Sequence, residues 1–202
     1  RTDLPGLKTP ADGRYGFAPL TMPTLAPGQA DPTASANMGS QHLSDIRKLL
    51  LPAPVGASTD HSLPGATGWV SESASLALLH SDAATEDFAT DGWRHTAGTA
   101  WKTPDGAETK IYLMQFIDDS AAGDANDAFT EFDSGSSSSA KTLTAPGNTA
   151  VQYSTVRQGS TNTWYGEAAI GDTEFLIEYT APVTVGLAPF EQEVDLQAEL
   201  LQ

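Results

Sequence analysis

Apolar and polar residues change their spacing several times along this chain, and each change marks an element. Between Trp93 and Phe132 the pattern reads strand, tight turn, strand, helix. Thr103-Pro104-Asp105-Gly106 is the clearest local signal. Its proline has φ preset for a turn and its glycine takes φ > 0 at no steric cost. The run Ile111-Tyr112-Leu113-Met114-Gln115-Phe116 that follows is the most apolar in the protein and has the length of a core strand. Ile111 and Leu113 fall on one face, Tyr112, Met114 and Phe116 on the other. A central strand covered on both sides is predicted. From Asp118 to Phe132 the apolar residues Ala122, Ala125, Phe129 and Phe132 recur at intervals of three and four, which predicts a helix. Asp118, Asp119 and Ser120 stand where a helix N-terminus favours caps and negative charge.

The second half repeats this order. Val151 to Arg157 alternates, Trp164 to Ile170 is a further strand, and Gly171-Asp172 is a two-residue hairpin signal. Thr173 to Thr180 places Phe175, Ile177 and Tyr179 on one face and Glu174 and Glu178 on the other, predicting a half-exposed strand. Pro189 opens a helix to Leu201, with Phe190, Val194, Gln197 and Leu201 inward and Glu191, Asp195 and Glu199 outward. Hairpin followed by helix is a common unit of α+β folds, and this accounts for the rhyme better than an internal duplication does.

Ahead of these elements the pattern is weaker. Ser44 to Leu51 predicts a short helix with Ile46, Leu49 and Leu50 on one face, stopped by Pro52 and Pro54. Ser71 to His80 and Ala83 to Thr90 read as one interrupted helix or two short ones, ending at Asp91-Gly92. Residues 1 to 40 hold Pro5, Pro10, Pro19, Pro23, Pro27 and Pro32, a spacing that favours extended chain. Tyr15, Phe17, Leu20, Met22 and Leu25 are too apolar for a free tether, so residues 14–26 are expected to lie across the domain or a neighbouring molecule. The resulting organisation is a Pro/Gly-rich arm or linker over residues 1–43 and a single α+β domain over 44–202. That domain is an antiparallel sheet of about five strands with helices packed on it.

Composition narrows the function classes. The 202 residues include 26 acidic and 10 basic side chains, for a formal net charge of −16. Such a surface repels phosphate backbones, so nucleic acid is not an expected partner. Cysteine is absent, which excludes disulfides, thiolate metal sites and cysteine nucleophiles. The chain starts at Arg1 rather than Met, and an anchor or signal segment ahead of it is expected. Abundant Ala, Gly, Thr, Ser and Asp with scarce Lys match actinobacterial coding.

No motif carries a reaction. His42, His61, His80 and His95 share no HExxH-type spacing, and no G-x-S-x-G elbow is present. Asp60-His61 and His80-Ser81-Asp82 set a carboxylate beside an imidazole, yet a triad needs a third group aimed by the fold. Asp118, Asp119, Asp124, Asn126 and Asp127 resemble a calcium loop, but Asp124-Ala125-Asn126 supplies the first pair of ligands with no third and no glycine, and the stretch is read as a solvated acidic face. No metal and no cofactor are expected. Among the aromatic residues, Trp69 lies in a loop and is the best placed for exposure. Trp69, Trp93 and His95 are the candidate ligand-binding residues.

Ile46 to Pro54 (IRKLLLPAP), Gly92-Trp93, Ala100-Trp101 with the PDG turn, YLMQF and the Ala-rich helix together resemble actinobacterial lipoproteins and membrane-anchored extracytoplasmic domains. More loosely they are similar to the sensor ectodomains of actinobacterial membrane kinases. The resemblance spans residues 44 to 201, and the chain departs from those ectodomains in lacking their cysteines. It implies an extracytoplasmic, non-catalytic binding or sensing module of the cell envelope, taking a protein or small-molecule ligand. Two alternatives stand beside it: a secreted hydrolase using a His/carboxylate pair around His61, His80 or His95, and a structural envelope protein that self-associates through its arm.

Overall fold

The computed structural model describes residues 41–42, 45–61, 68–78, 88, 90, 92–129 and 141–202, with side chains omitted for 126–129. The Pro-rich arm, most of the expected 83–90 helix, His80 and the Gly/Ser stretch at 134–139 lie outside the described residues. The strands are β1 (Ser58–Thr59), β2 (Trp69–Val70), β3 (His95–Lys102), β4 (Glu108–Gln115), β5 (Lys141–Ala145), β6 (Thr149–Gln158), β7 (Thr161–Ile170) and β8 (Thr173–Pro182). Three described α-helices accompany them: α1 (Glu72–Leu76), α2 (Asp119–Phe129) and α3 (Ala188–Leu200).

All eight strands join one sheet in the order β1-β3-β4-β8-β7-β6-β5, with β2 also paired to β3. Every pairing is antiparallel. This overturns the expected α+β domain built on about five strands; the molecule is largely β. The five strands read from alternation are all present, and β1, β2 and β5 are the additions. Two-residue strands carry no periodicity, and β5 (KTLTA) offers a single large apolar residue, Leu143.

Turn chemistry sets the register. In the β3–β4 hairpin, Gly106 sits at φ 87° and its N–H donates to the Thr103 carbonyl at 3.0 Å, while the Thr103 hydroxyl donates to Asp105. Gly171 takes φ 57° in the two-residue β7–β8 turn. Ile111 then faces Ile177, and Leu113 faces Phe175. These four side chains pack with Trp101, Val151, Trp164, Tyr179, Phe190 and Val194 in the larger core, under α3. Tyr112, Met114, Phe116 and Leu176 point the other way and pack against Ala121, Ala122 and Ala125 of α2. Asp118 Oδ1 accepts from the Ala121 N–H at 2.9 Å at the start of that helix.

Two further expectations change. In place of the helix expected over Ser44 to Leu51, the described residues from Asp45 onward form a 3₁₀ turn over Ile46–Lys48, capped by Asp45. Ile46, Leu49 and Leu51 are buried, and Leu50 is half-buried. Gln197 of α3 clamps this segment, accepting from the Leu51 N–H and donating to the Leu49 carbonyl, both at 2.9 Å. The strand β8 is not half-exposed either. It lies between β4 and β7 with both faces covered, so Glu174 is fully buried and Glu178 pairs with Lys110 at 2.9 Å.

Candidate functional site

Short pieces of chain meet at the outer edge of β3. β2 pairs with Thr96 and Ala97, β1 with Trp101 and Lys102, and Gly98 to Ala100 lie between them. The Gly98 N–H donates to the Gly68 carbonyl at 3.0 Å, and the Asp60 N–H donates to the Ala100 carbonyl at 2.9 Å. Above this interrupted edge is a cleft of about 330 Å³, walled by Arg47, Leu50, Leu51 and Pro52 on one side and Thr59, Asp60 and His61 on the other. Gly68, Gly98, Thr99 and Ala100 complete its lining.

Arg47 shapes one wall. Its guanidinium lies 4.5 Å from the Trp69 ring centroid, a cation–π distance, and Nη2 donates to Asp45 Oδ2 at 2.6 Å. The Arg47 hydrogen bonds and charge hold the Asp45 carboxyl below its ordinary value, against a smaller effect of burial. Gly68 makes the stacking possible. It sits at φ 83°, and a Cβ there would stand 2.9 Å from Arg47 Cδ.

From Trp69 a polar relay runs into the protein. The His95 ring meets Trp69 edge-on with centroids 4.7 Å apart. Burial lowers the His95 pKa, and a hydrogen bond with Gln115 opposes the shift. Gln115 faces His95 across the β3–β4 ladder and donates from Nε2 to the His42 carbonyl at 2.8 Å and to Asp172 Oδ2 at 2.9 Å. Asp172 Oδ1 accepts from the His42 backbone N–H at 3.0 Å, and His42 Nδ1 is 2.7 Å away. His42 Nε2 donates to the Leu201 carbonyl at 2.8 Å. Burial pushes the Asp172 carboxyl up, but the hydrogen bonds and charge of His42, helped by Gln115, outweigh it and hold it below the ordinary value.

Of the three residues chosen from sequence, Trp69 and His95 therefore touch and stand beside the cleft. Trp93 is elsewhere. It packs in the α2-side core with Phe88 at 5.4 Å, and its indole N–H donates to Thr96 Oγ1 at 3.0 Å. His42, Gln115 and Asp172 were not chosen. His42 fell in the Pro-rich arm and Asp172 in a hairpin turn, and no local spacing connects residues 130 positions apart.

The pairing of imidazole with carboxylate that a hydrolase needs is present at His42–Asp172, but both side chains of that contact are buried and both His42 nitrogens face acceptors. His61 lines the cleft with Asp60, whose carboxylate is 3.4 Å from Lys102 Nζ. No group of three or more potential metal ligands occurs among the described residues. A broader depression of about 900 Å³ lies at the start of α3, bordered by Asp105, Glu191 and Asp195. No described helix is long and apolar enough to cross a membrane.

No protein-family model matches the chain, and no curated protein matches it. Among solved structures it is similar to the extracellular domain of PknH from Mycobacterium tuberculosis, with a TM-score of 0.42 and 7% identity. The match covers 57% of this chain and 68% of that one. That neighbour is an extracellular domain of a kinase, and a likeness of this size gives the chain neither a family nor a function.

Proposed function

We propose that this protein is an extracytoplasmic, non-catalytic binding or sensing module that takes a small polar ligand in the cleft along the outer edge of β3. The carrying observation is the cleft itself. Its volume of about 330 Å³ lies at the low end of the range of small-molecule sites, and its lining joins apolar walls to a few convergent polar groups. Leu50, Leu51 and Pro52 supply the apolar wall, Thr59, Asp60, His61 and Thr99 the hydrogen-bonding groups, and Arg47 on Trp69 a rigid cationic rim. The extracytoplasmic placement follows the sequence resemblance to envelope domains.

The test is a screen of small sugars and short peptides against the ¹⁵N-labelled chain, read by amide and indole shifts. Binding that moves the Trp69 indole and the Gly98–Ala100 amides together, and weakens at least tenfold in Arg47→Ala, is expected. Hits that move only amides bordering the depression at α3 would place the ligand elsewhere and remove this reading. Turnover of a hit that disappears in His61→Ala would replace it with the hydrolase.

A further inference from the structure

The strongest unexplained chemistry lies on the opposite face of the sheet, away from the cleft. Glu174 of β8 is 0% exposed, and neither of its carboxyl oxygens has a hydrogen-bond partner among the described residues. In the β7–β8 ladder Glu174 faces Ala169, so Glu167, two residues along, is its diagonal neighbour on the same face. Diagonal Cβ atoms stand about 7–8 Å apart or somewhat less, within joint reach of two glutamate side chains. Glu167 is also buried, at 7% exposure. Directly opposite Glu167 on β6 is Gln152, half-buried, whose amide lies on that face too.

Among the described residues α2 brings no positive charge over this face, and Lys110 of β4, on the same face, is taken by Glu178 and Glu108. Leu176, Met114 and Tyr112 flank the two glutamates, and α2 packs over β7 and β8. The sequence of α2, Asp119 to Phe129, carries Asp119, Asp124 and Asp127 and no Lys, Arg or His. Two carboxylates thus share an apolar layer beneath a helix whose charged residues are all acidic. A buried carboxyl without donor, cation or water costs several kcal/mol or more. Burial pushes Glu167 up to about 8, and burial followed by the charge of Glu167 raises Glu174 well above its ordinary value. An isolated pair of this kind is satisfied either by protons or by a cation.

We propose that Glu167 and Glu174, with the Gln152 amide oxygen, form the protein's site for a single hard divalent cation between α2 and the sheet. Calcium is the ion that fits. An all-oxygen donor set of two carboxylates and an amide excludes the soft metals. Two carboxylates offer up to four oxygens and Gln152 a fifth, and calcium accepts six to eight in a flexible arrangement completed by water. Magnesium demands near-ideal octahedral geometry at shorter distances, which two carboxylates and an amide fixed by strand register do not supply. The site differs from the Asp118–Asp127 stretch, whose Asp124 is exposed.

The experiment uses the full chain, stripped with chelator and held at about 0.15 M NaCl so that diffuse attraction by the acidic surface is screened. Calcium chloride is titrated while the melting temperature is followed, and calorimetry gives the stoichiometry. A saturable rise of about 5 °C or more, with one ion per chain, is expected. It should vanish in Glu167→Gln/Glu174→Gln, which keeps the shapes of the side chains, and persist in Asp119→Asn/Asp124→Asn. A wild-type chain that shows no saturable rise overturns the proposal. So does a rise retained by the glutamine pair, or one lost in the asparagine pair, which would be surface screening. If the glutamine pair instead melts higher than wild type and wild type ignores calcium, protons hold these groups and there is no cation site.

Discussion

At the scale of single residues, the contacts that hold the cleft wall come from groups far apart in sequence. Asp172 receives His42 through both backbone and side chain, and Gln115 as well, inside a region where its own side chain is 1% exposed. Removing the carboxylate takes an acceptor from the buried His42 ring and backbone N–H, and leaves Gln115 Nε2 with the His42 carbonyl alone of its two acceptors. Asp172→Ala is therefore expected to cost about 3–5 kcal/mol, the range for breaking a buried pair from one side. Urea denaturation at neutral pH measures it, and a loss below about 1 kcal/mol would mean the pair is solvated. Gly68 acts differently. At φ 83° and 2.9 Å from Arg47 Cδ, it leaves room for the guanidinium to lie on Trp69. Gly68→Ala should destabilise the fold by roughly 1–2 kcal/mol while shifting Trp69 fluorescence through displacement of Arg47. An unchanged emission spectrum would show that the stack does not depend on this glycine.

At the scale of elements, packing between sheet and helix turns on one position. Gly166 of β7 faces Phe190 of α3, and a Cβ there would stand 2.7 Å from the Phe190 ring and 3.5 Å from Val194. Phe190 and Val194 are both fully buried, so the ring has no free space to enter. Gly166→Ala is expected to cost about 1–3 kcal/mol by overpacking, measured by chemical denaturation, with Gly159→Ala in the neighbouring turn, which meets nothing within 4 Å, as the case limited to backbone strain. Gly166 also shows what sequence alone does and does not reveal. The strand at Thr173–Thr180 is readable from its period of two, and that at Ile111–Phe116 from a continuous apolar run of strand length. Their neighbours are not. The glycine that admits Phe190 has no local signature, and Glu174 reads as solvent-facing in a window that cannot know β8 lies between β4 and β7. The same applies to the cleft: Trp69 was visible as an isolated aromatic, His95 as a histidine beside a strand, but Arg47 and Gly68 acquire meaning only once the 3₁₀ turn is clamped to α3 by Gln197. Trp93 carries no local signal that separates it from the core aromatics, and it packs beside Phe88.

At the scale of the whole molecule, two kinds of buried carboxyl pull the pH dependence of stability in opposite directions. Asp172 is held below its ordinary value of 3.8, so its contribution is full above that value and is lost as pH falls through the lower folded one. Glu193 of α3 behaves the other way. Burial pushes it up to about 8, although the Thr109 hydroxyl lies 3.0 and 3.1 Å from its two oxygens. The folded chain holds that proton more tightly than the unfolded chain, whose value is near 4.5. Stabilisation from Glu193 is thus full below 4.5 and is lost as pH rises towards 8. Glu193→Gln keeps an acceptor for Thr109 and cannot titrate, so it isolates this one group from every other carboxyl in an acidic protein. Between about pH 5 and about pH 8.5 the wild type should lose on the order of 4 kcal/mol relative to Glu193→Gln. Urea midpoints for both chains across that range, in chelator, decide the matter. Curves that run parallel would mean Glu193 is ionised in the folded state throughout, and that α3 tolerates a charge against the sheet.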